Sequence, residues 1–332
     1  MNGPGSSLSI ALTTCDGSPY IGEQLSSLLR QSRPPSEILV GDDCSKDVTC
    51  TLVRQALDGS GIQWRLVQNR SRLGVIANIE LALRRSSGEF IALSDQDDRW
   101  RDDKVAVVEQ HFEDPRVTAV FSDARLIDET GRVLPGRLWS AVGFTPESIE
   151  GKSIVRLERL LRGNVVTGAT LVIRRSVLEC ALPLPRHYHD HWLALVAAGM
   201  GLVVAEPEAL IDYRLHRDNL AGLRGASGIG RLRVAAKMAG KSRSKAVLLE
   251  LLLSRLAPVC DVETRKLLGD WLQFLEYRGT LPRSRLARLA LIGMMVRSGS
   301  YARYSRGLPA AWVDLLLPAS RFEEEAIIID GW

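Results

Sequence analysis

Three acidic clusters stand out in a chain of 332 residues: Asp16 within Thr13-Thr14-Cys15-Asp16-Gly17, the pair in Gly41-Asp42-Asp43-Cys44-Ser45, and the triplet in Ser94-Asp95-Gln96-Asp97-Asp98. Each follows a short apolar run. One aspartate in such a place is ordinarily the cap of the next helix. Three clusters after three such runs ask for more, because like charges brought together repel unless a cation or a donor-rich ligand joins them. Asp95-x-Asp97-Asp98 offers hard oxygen donors at alternate positions, which suits Mg2+ or Mn2+ bridging to phosphate oxygens, with a diphosphate as the natural guest. Neither G-x-x-x-x-G-K-S/T nor G-x-G-x-x-G follows the first run, so phosphate binding rests on the metal.

Other residues carry two readings each. Arg72 and Asn78 flank Gly74, which either lets backbone approach a ligand at a helix start or makes a plain helix-start turn. His189-Asp190-His191-Trp192 holds two imidazoles and a carboxylate, but adjacent residues do not share a helix face and no second His/Cys group has zinc spacing. Asp190 is then a helix-start cap or a functional carboxylate. Trp100 and Trp192 either offer an aromatic face to a ligand or pack in the core. His216, just after the last strand-like run, is a ligand or an ordinary surface or core histidine.

Positioning these groups falls to a βαβα alternation that runs from residue 8 to about 123. Strands are expected at Ser9–Thr13, Glu37–Gly41, Gln63–Val67, Glu89–Leu93 and Thr118–Phe121, with helices near Tyr20–Arg30, Val48–Leu57, Val75–Arg85 and Asp102–Phe112. Each crossover has room for one helix, so a mostly parallel, Rossmann-like α/β sheet covered on both faces is expected. Ligands of such sheets bind at the carboxyl ends of the strands, where the acids fall. A hairpin over Leu126–Leu134, a helix near Lys152–Leu161, a strand over Val165–Ile173, a helix near His189–Ala198 and two short strands before Tyr213 complete the first region. A soft boundary near 222 separates residues 1–222 from a basic α-helical region, 223–332, with helices such as Ser244–Leu256 and Glu263–Tyr277.

Composition agrees with a soluble, folded protein: 45% of residues are hydrophobic and 25% charged. The net charge of +4 is unevenly placed. Residues 1–213 carry 23 Lys and Arg against 28 Asp and Glu, whereas 214–332 carry 20 against 11. That asymmetry points the C-terminal region toward something anionic, or toward a solvated basic exterior. Its aromatics show no RNA-binding pattern, and no nucleic-acid partner is expected. Five cysteines without C-x-x-C spacing fit a reducing compartment, and the first basic residue is Arg30, so no signal peptide is expected.

Five segments in this order, Thr13 to Gly17 with Tyr20-Ile21, Gly41 to Asp47, Leu73 to Asn78, Ser94 to Trp100, and His189 to Trp192, resemble the family 2 glycosyltransferases with the GT-A fold. Within them the likeness is to the bacterial rhamnosyltransferase-like branch of surface polysaccharide synthesis. It covers residues 8 to 222. One departure is Cys15, where this branch often has an aromatic residue.

The resemblance implies a nucleotide diphosphate sugar held by Thr13, Asp16, Asp42, Asp43, Arg72, Asn78 and Asp95. It implies a divalent cation, Mg2+ or Mn2+, on Asp97 with His216 completing the site and Asp98 in support. Asp190 would be the catalytic base, and Gly168, Ala169 and Trp192 would line the acceptor side. The expected reaction is inverting transfer of one sugar to a hydroxyl of a glycan or lipid-linked acceptor. A sugar-nucleotide nucleotidyltransferase or a non-catalytic nucleotide-sugar-binding protein is the alternative, though the first normally wants a basic glycine-rich loop after the first strand. The expected location is cytoplasmic, with peripheral attachment to an anionic membrane surface through stretches such as Leu286–Val296.

Overall fold

Four strands, β1 (Leu8–Thr14), β2 (Glu37–Asp42), β3 (Gln63–Gln68) and β4 (Phe90–Asp95), form a parallel half-sheet in the order 3-2-1-4. β1, β2 and β4 are apolar almost throughout and buried on both faces, as central parallel strands require. The crossovers are α1 (Ile21–Leu29), α2 (Thr49–Leu57) and α3 (Val75–Arg85). α1 buries Ile21, Gln24, Leu25 and Leu28, the helical stripe that packs on a sheet. Its two buried polar residues are hydrogen-bonded: Gln24 Nε2 donates to Ser94 Oγ at 2.6 Å, and Ser27 Oγ accepts from Trp100 N at 2.9 Å. The chain leaves β1 on one side toward β2 and returns on the other as β4. The strand order therefore reverses between β1 and β4, and Thr13 faces both Gly41 and Asp95 in register.

Beyond β4 the elements are β5 (Arg99–Trp100), α4 (Lys104–His111), β6 (Val117–Ile127), β7 (Val133–Arg137), α5 (Leu138–Val142), α6 (Ser153–Arg162), β8 (Leu171–Arg174), α7 (Val177–Ala181), α8 (His189–Met200) and β9 (Leu202–Arg214). They extend the sheet as β4-β8-β6-β9-β5, with β7 paired to β6. The α/β class is as expected, but the unbroken run of parallel neighbours ends at β4, although β6 and β9 pair in parallel beyond it. β8 runs antiparallel to both β4 and β6, and β5 antiparallel to β9, so the sheet is mixed. The expected strand over 165–173 shortens to Leu171–Arg174 because Thr167 O accepts from both N and Oγ1 of Thr170, closing a turn before it. The two short strands expected before Tyr213 are one bent strand, β9. Its register against β6 slips between Glu206 and Ala209, beside Pro207, which has no N–H to give the ladder.

The computed structural model describes residues 7–186, 188–216, 242–282, 284–305 and 307–316. The chain divides into two compact units, Met1–Leu223 and Arg224–Trp332. The second is helical where described: Ser242–Leu256, Val262–Gly279, Arg285–Arg297, Ser300–Tyr304 and Leu308–Leu316. Its buried residues include Leu252, Leu268, Trp271 and Phe274. A buried pair fixes its last helices: Arg278 donates to both carboxylate oxygens of Asp314, at 2.6 and 2.8 Å, and Tyr301 OH donates to the same group at 2.7 Å. No helix among the described residues is long and apolar enough to cross a membrane.

Candidate active site

At the end of β1 the backbone turns through Asp16, whose φ of +47° is left-handed. Asp16 Oδ1 accepts from Lys46 N at 2.7 Å, its other oxygen pairs with Arg72, and Asp16 N donates to Ser45 Oγ at 2.8 Å. Asp43, just past β2, accepts from Leu73 N at 2.7 Å, Gly74 N at 2.9 Å and Asn69 Nδ2 at 3.1 Å. Gly74 adopts φ +86°, a conformation open to glycine, and so turns these amides onto Asp43 at the head of α3. Asp16 and Arg72 thus pair at the carboxyl ends of β1 and β2, where Thr13 is half-buried and Asp43 buried.

Asp42 and Asn78 do not join them. Asp42 is fully buried, with its carboxylate accepting from Thr14 Oγ1 at 2.8 Å, Ser45 N at 3.0 Å and Ser45 Oγ. The expected nucleotide contact gives way to the cap of the strand end. Asn78 is also buried; its amide donates to Gly41 O at 2.8 Å and its carbonyl accepts from Asn69. It ties α3 to β2 instead of facing a ligand.

The loop after β4 is tied down from both sides. Gln96 Oε1 accepts from Cys15 N at 2.8 Å and Gln96 Nε2 donates to Cys15 O at 3.2 Å, so the acidic loop is stitched to the β1 loop. A Cβ on Gly17 would collide with the Gln96 side-chain amide. Gly17→Ala should break both bonds and lower Tm by a few degrees, because two net hydrogen bonds contribute about 1–3 kcal/mol to the fold. A melting curve of the variant beside the parent checks this; an unchanged Tm would show that the stitch adds nothing to stability.

Asp97 Oδ2 accepts from His216 Nε2 at 2.7 Å, and both side chains are mostly buried. Arg214, two residues before His216 and fully buried, holds the pair in place. Its Nε donates to Asp97 O at 2.7 Å, its N to Asp98 Oδ1 at 2.9 Å, Nη2 to Glu23 at 2.7 Å, and Nη1 to the Asp128 and Glu129 carbonyls at 3.3 and 3.1 Å. Its guanidinium also lies 4.8 Å over Tyr20, whose ring is tilted by 32° against His216 with centroids 5.2 Å apart. Beneath the loop is Lys104, fully buried, its Nζ 3.6 Å over the Trp100 ring and donating to Ala169 O at 3.1 Å. Trp100 is therefore core and no sugar platform.

The charge of Asp190 also acts on this loop. Burial pushes the Asp95 carboxyl up to about 7, and the charges of Asp97 and Asp190 push the same way against the pull of Lys104. Asp98 is raised well above the usual range, first by burial and then by Asp97 and Asp95. Burial lowers Lys104 to about 7, opposed by Asp98 and Asp95. A raised carboxyl destabilises the fold as pH rises from about 4 to about 7, since the folded chain keeps a proton that the unfolded chain releases. Asp95→Asn should therefore gain stability over the parent across that window and match it below pH 4. Urea midpoints of metal-free protein at several pH values measure this, and a gain independent of pH would refute it.

Asp190, in the first turn of α8, accepts from Asn164 Nδ2 at 3.2 Å and from His191 N at 2.6 Å. Gly168 sits against this turn: a Cβ there would lie 2.8 Å from His189 Nε2 and 3.8 Å from Asp190 Cβ. Ala169, beside it, is buried. Trp192 is not at the acceptor side. It is completely buried and donates through Nε1 to Ala181 O at 2.8 Å, anchoring α8 in the core. His191 Nε2 lies 2.8 Å from Leu160 O and fixes α8 to α6.

The donor chemistry fits a divalent cation: Asp97 and His216 offer an oxygen and a nitrogen in mutual contact, and Asp98 Oδ2 is buried with no hydrogen-bond partner. Among the described residues no three His, Cys, Asp or Glu side chains converge as a ready cage, so a diphosphate and water would have to supply the remaining positions.

A doubly wound half-sheet with acids at its switch point, continued by a mixed sheet and a helix headed by Asp190, is the GT-A-like architecture. The sequence pattern of glycosyl transferase family 2 matches residues 9–182, and the chain belongs to that family. It is 26% identical over 215 residues to an uncharacterized protein of Mycobacterium tuberculosis, covering 63% of this chain and 59% of that one. It is 24% identical over 217 residues to TuaG of Bacillus subtilis, a putative teichuronic acid biosynthesis glycosyltransferase, covering 64% and 81%. The chain thus spans about three fifths of the length of the mycobacterial relative. Among solved structures, Staphylococcus aureus TarS in complex with UDP-GlcNAc superposes with a TM-score of 0.53 at 16% identity, over 97% of this chain and 92% of that one. A Pyrobaculum calidifontis mannosyltransferase in complex with GDP-Man and Mn2+ gives 0.51 at 18% identity, over 93% and 78%. At these identities the likeness establishes the fold.

Proposed function

We propose that this chain is an inverting glycosyltransferase of bacterial surface polysaccharide synthesis, moving a sugar from a nucleotide diphosphate sugar to a hydroxyl of a glycan or lipid-linked acceptor. The observation that carries the reading is the acidic loop after β4, where Asp97 meets His216 at 2.7 Å and the charges of Asp97 and Asp190 both act on Asp95. Thr13, Asp16, Asp43 and Arg72 bind the nucleotide, and Asp95 the ribose side. Asp97 and His216 hold Mg2+ or Mn2+, which when bound neutralises charge on the departing diphosphate. Asp190 takes the proton of the attacking hydroxyl, with Gly168 leaving room on the acceptor side. The transferase domain is residues 1–222 and the helical region 223–332. The five ordered motifs support the rhamnosyltransferase-like branch, and a cytoplasmic location suits a nucleotide-sugar donor.

Thermal-shift screening against UDP-, dTDP- and GDP-sugars with Mn2+ tests the reading, since a ligand of the folded state raises Tm by mass action. One nucleotide class should raise it in a metal-dependent way, and the same donor should be consumed when an acceptor glycan is present. No shift with any donor, or a shift with no transfer to any acceptor, would overturn it.

A further inference from the structure

The helix Arg285–Arg297 turns Arg288, Ile292 and Met295 inward, and Arg288 Nη1 donates to Asp314 O of the helix Leu308–Leu316 at 3.2 Å. Its outward side is also apolar. Leu286, Leu289 and Met294 are 53–81% exposed, with Ala287 and Ala290 exposed between them. The neighbouring helix does the same at i, i+4 and i+8, leaving Leu308, Trp312 and Leu316 about 60% exposed. Two neighbouring helices that each leave an apolar stripe in water mark an interaction surface.

Charge decides what covers it. From Tyr277 to Val313 the sequence holds seven arginines and no Asp or Glu. The next acid, Asp314, is fully buried and taken by Arg278 and Tyr301. Arg285, Arg297 and Arg303 are exposed, the first two at either end of the apolar stripe. A second copy docked through this face would set arginines against arginines with no acid of the face to pair them. An anionic leaflet satisfies both features at once, taking apolar side chains below the headgroups while arginines meet lipid phosphates. Trp312 suits that boundary, its ring apolar and its N–H polar.

We propose that these two helices form a docking surface for an anionic lipid bilayer, with Leu286, Leu289 and Trp312 as the inserted residues. The proposal stands on the helical unit alone and does not depend on the transfer reading. If transfer also holds, docking would bring the enzyme to the surface where a lipid-linked acceptor is presented.

The test is co-sedimentation of the full chain with phosphatidylcholine vesicles and with vesicles containing phosphatidylglycerol. Salt-reversible binding to the anionic vesicles alone is expected. Leu289→Asp together with Trp312→Ser should reduce that binding at least tenfold, and Arg285→Glu with Arg297→Glu by a similar factor, while Tm and donor binding stay at parental values. No binding to anionic vesicles at low salt overturns the proposal, as does binding at the parental level by both double variants. Light scattering that shows a dimer dissociated by the Leu289/Trp312 variant would assign the face to a second copy instead. None of these readouts requires turnover, so loss of docking leaves the transfer reading standing, and absence of transfer leaves docking standing.

Discussion

Asp190→Asn should leave donor binding near the parental value and lower the rate of transfer by about 10²- to 10⁴-fold, the usual contribution of a positioned general base. The carboxylate is held by Asn164 Nδ2 at 3.2 Å and His191 N at 2.6 Å, on a helix whose start is pinned by Trp192 and His191. Both hydrogen bonds end on Oδ1, which an asparagine retains, so the turn should survive the change. Asparagine serves a helix start about as well as aspartate does. A purely structural Asp190 therefore predicts no loss of rate, and a basic one predicts a large loss in kcat with Tm unmoved. Steady-state kinetics at saturating acceptor beside a melting curve separates the two, and a parental kcat would place the base elsewhere.

The acids themselves were legible because each follows a run of strand-forming residues, and a parallel half-sheet gathers strand ends at one edge whatever the rest of the chain does. Which acids face the cleft was not. Asp42 and Asp43 are adjacent, and adjacent residues near a strand end point opposite ways, so one became a buried cap and the other the receptor of the Leu73-Gly74 turn. Trp192 was expected at the acceptor side from the family resemblance alone. α8 is buried continuously from Trp192 to Gly199, and that unbroken apolar run was the available signal for a core helix.

Lys104 and Arg214 left less trace. A basic residue at a strand or helix end is ordinarily solvated, and nothing local distinguishes one that is buried. Arg214 draws on partners as far away as Asp97 and Glu23, 117 and 191 positions earlier, which only the closed sheet brings within reach. The two basic side chains brace the acidic loop. Lys104 balances Asp95 and Asp98 from beneath, while Arg214 fixes the loop backbone from the side.

That balance is incomplete, and the remainder falls on Asp97. Asp97→Ala should abolish the dependence of donor binding on Mn2+ and weaken binding in its presence by about 100-fold, since loss of even the partners behind a metal ligand costs 10- to 100-fold. Without a cation the effect should reverse in sign. Asp97 is the leading charge that adds to burial in raising Asp95 and Asp98, so its removal should relieve both and let Asp95 ionise at a lower pH. The metal-free variant should then hold or gain stability near neutral pH, whereas a carboxylate kept only as the partner of His216 would lose stability when truncated. Calorimetric titration of a matched nucleotide sugar with and without Mn2+, run beside urea unfolding of metal-free protein, reads both halves. An unchanged metal response would remove Asp97 from the cation site, and a destabilised metal-free variant would make the histidine pair its main role.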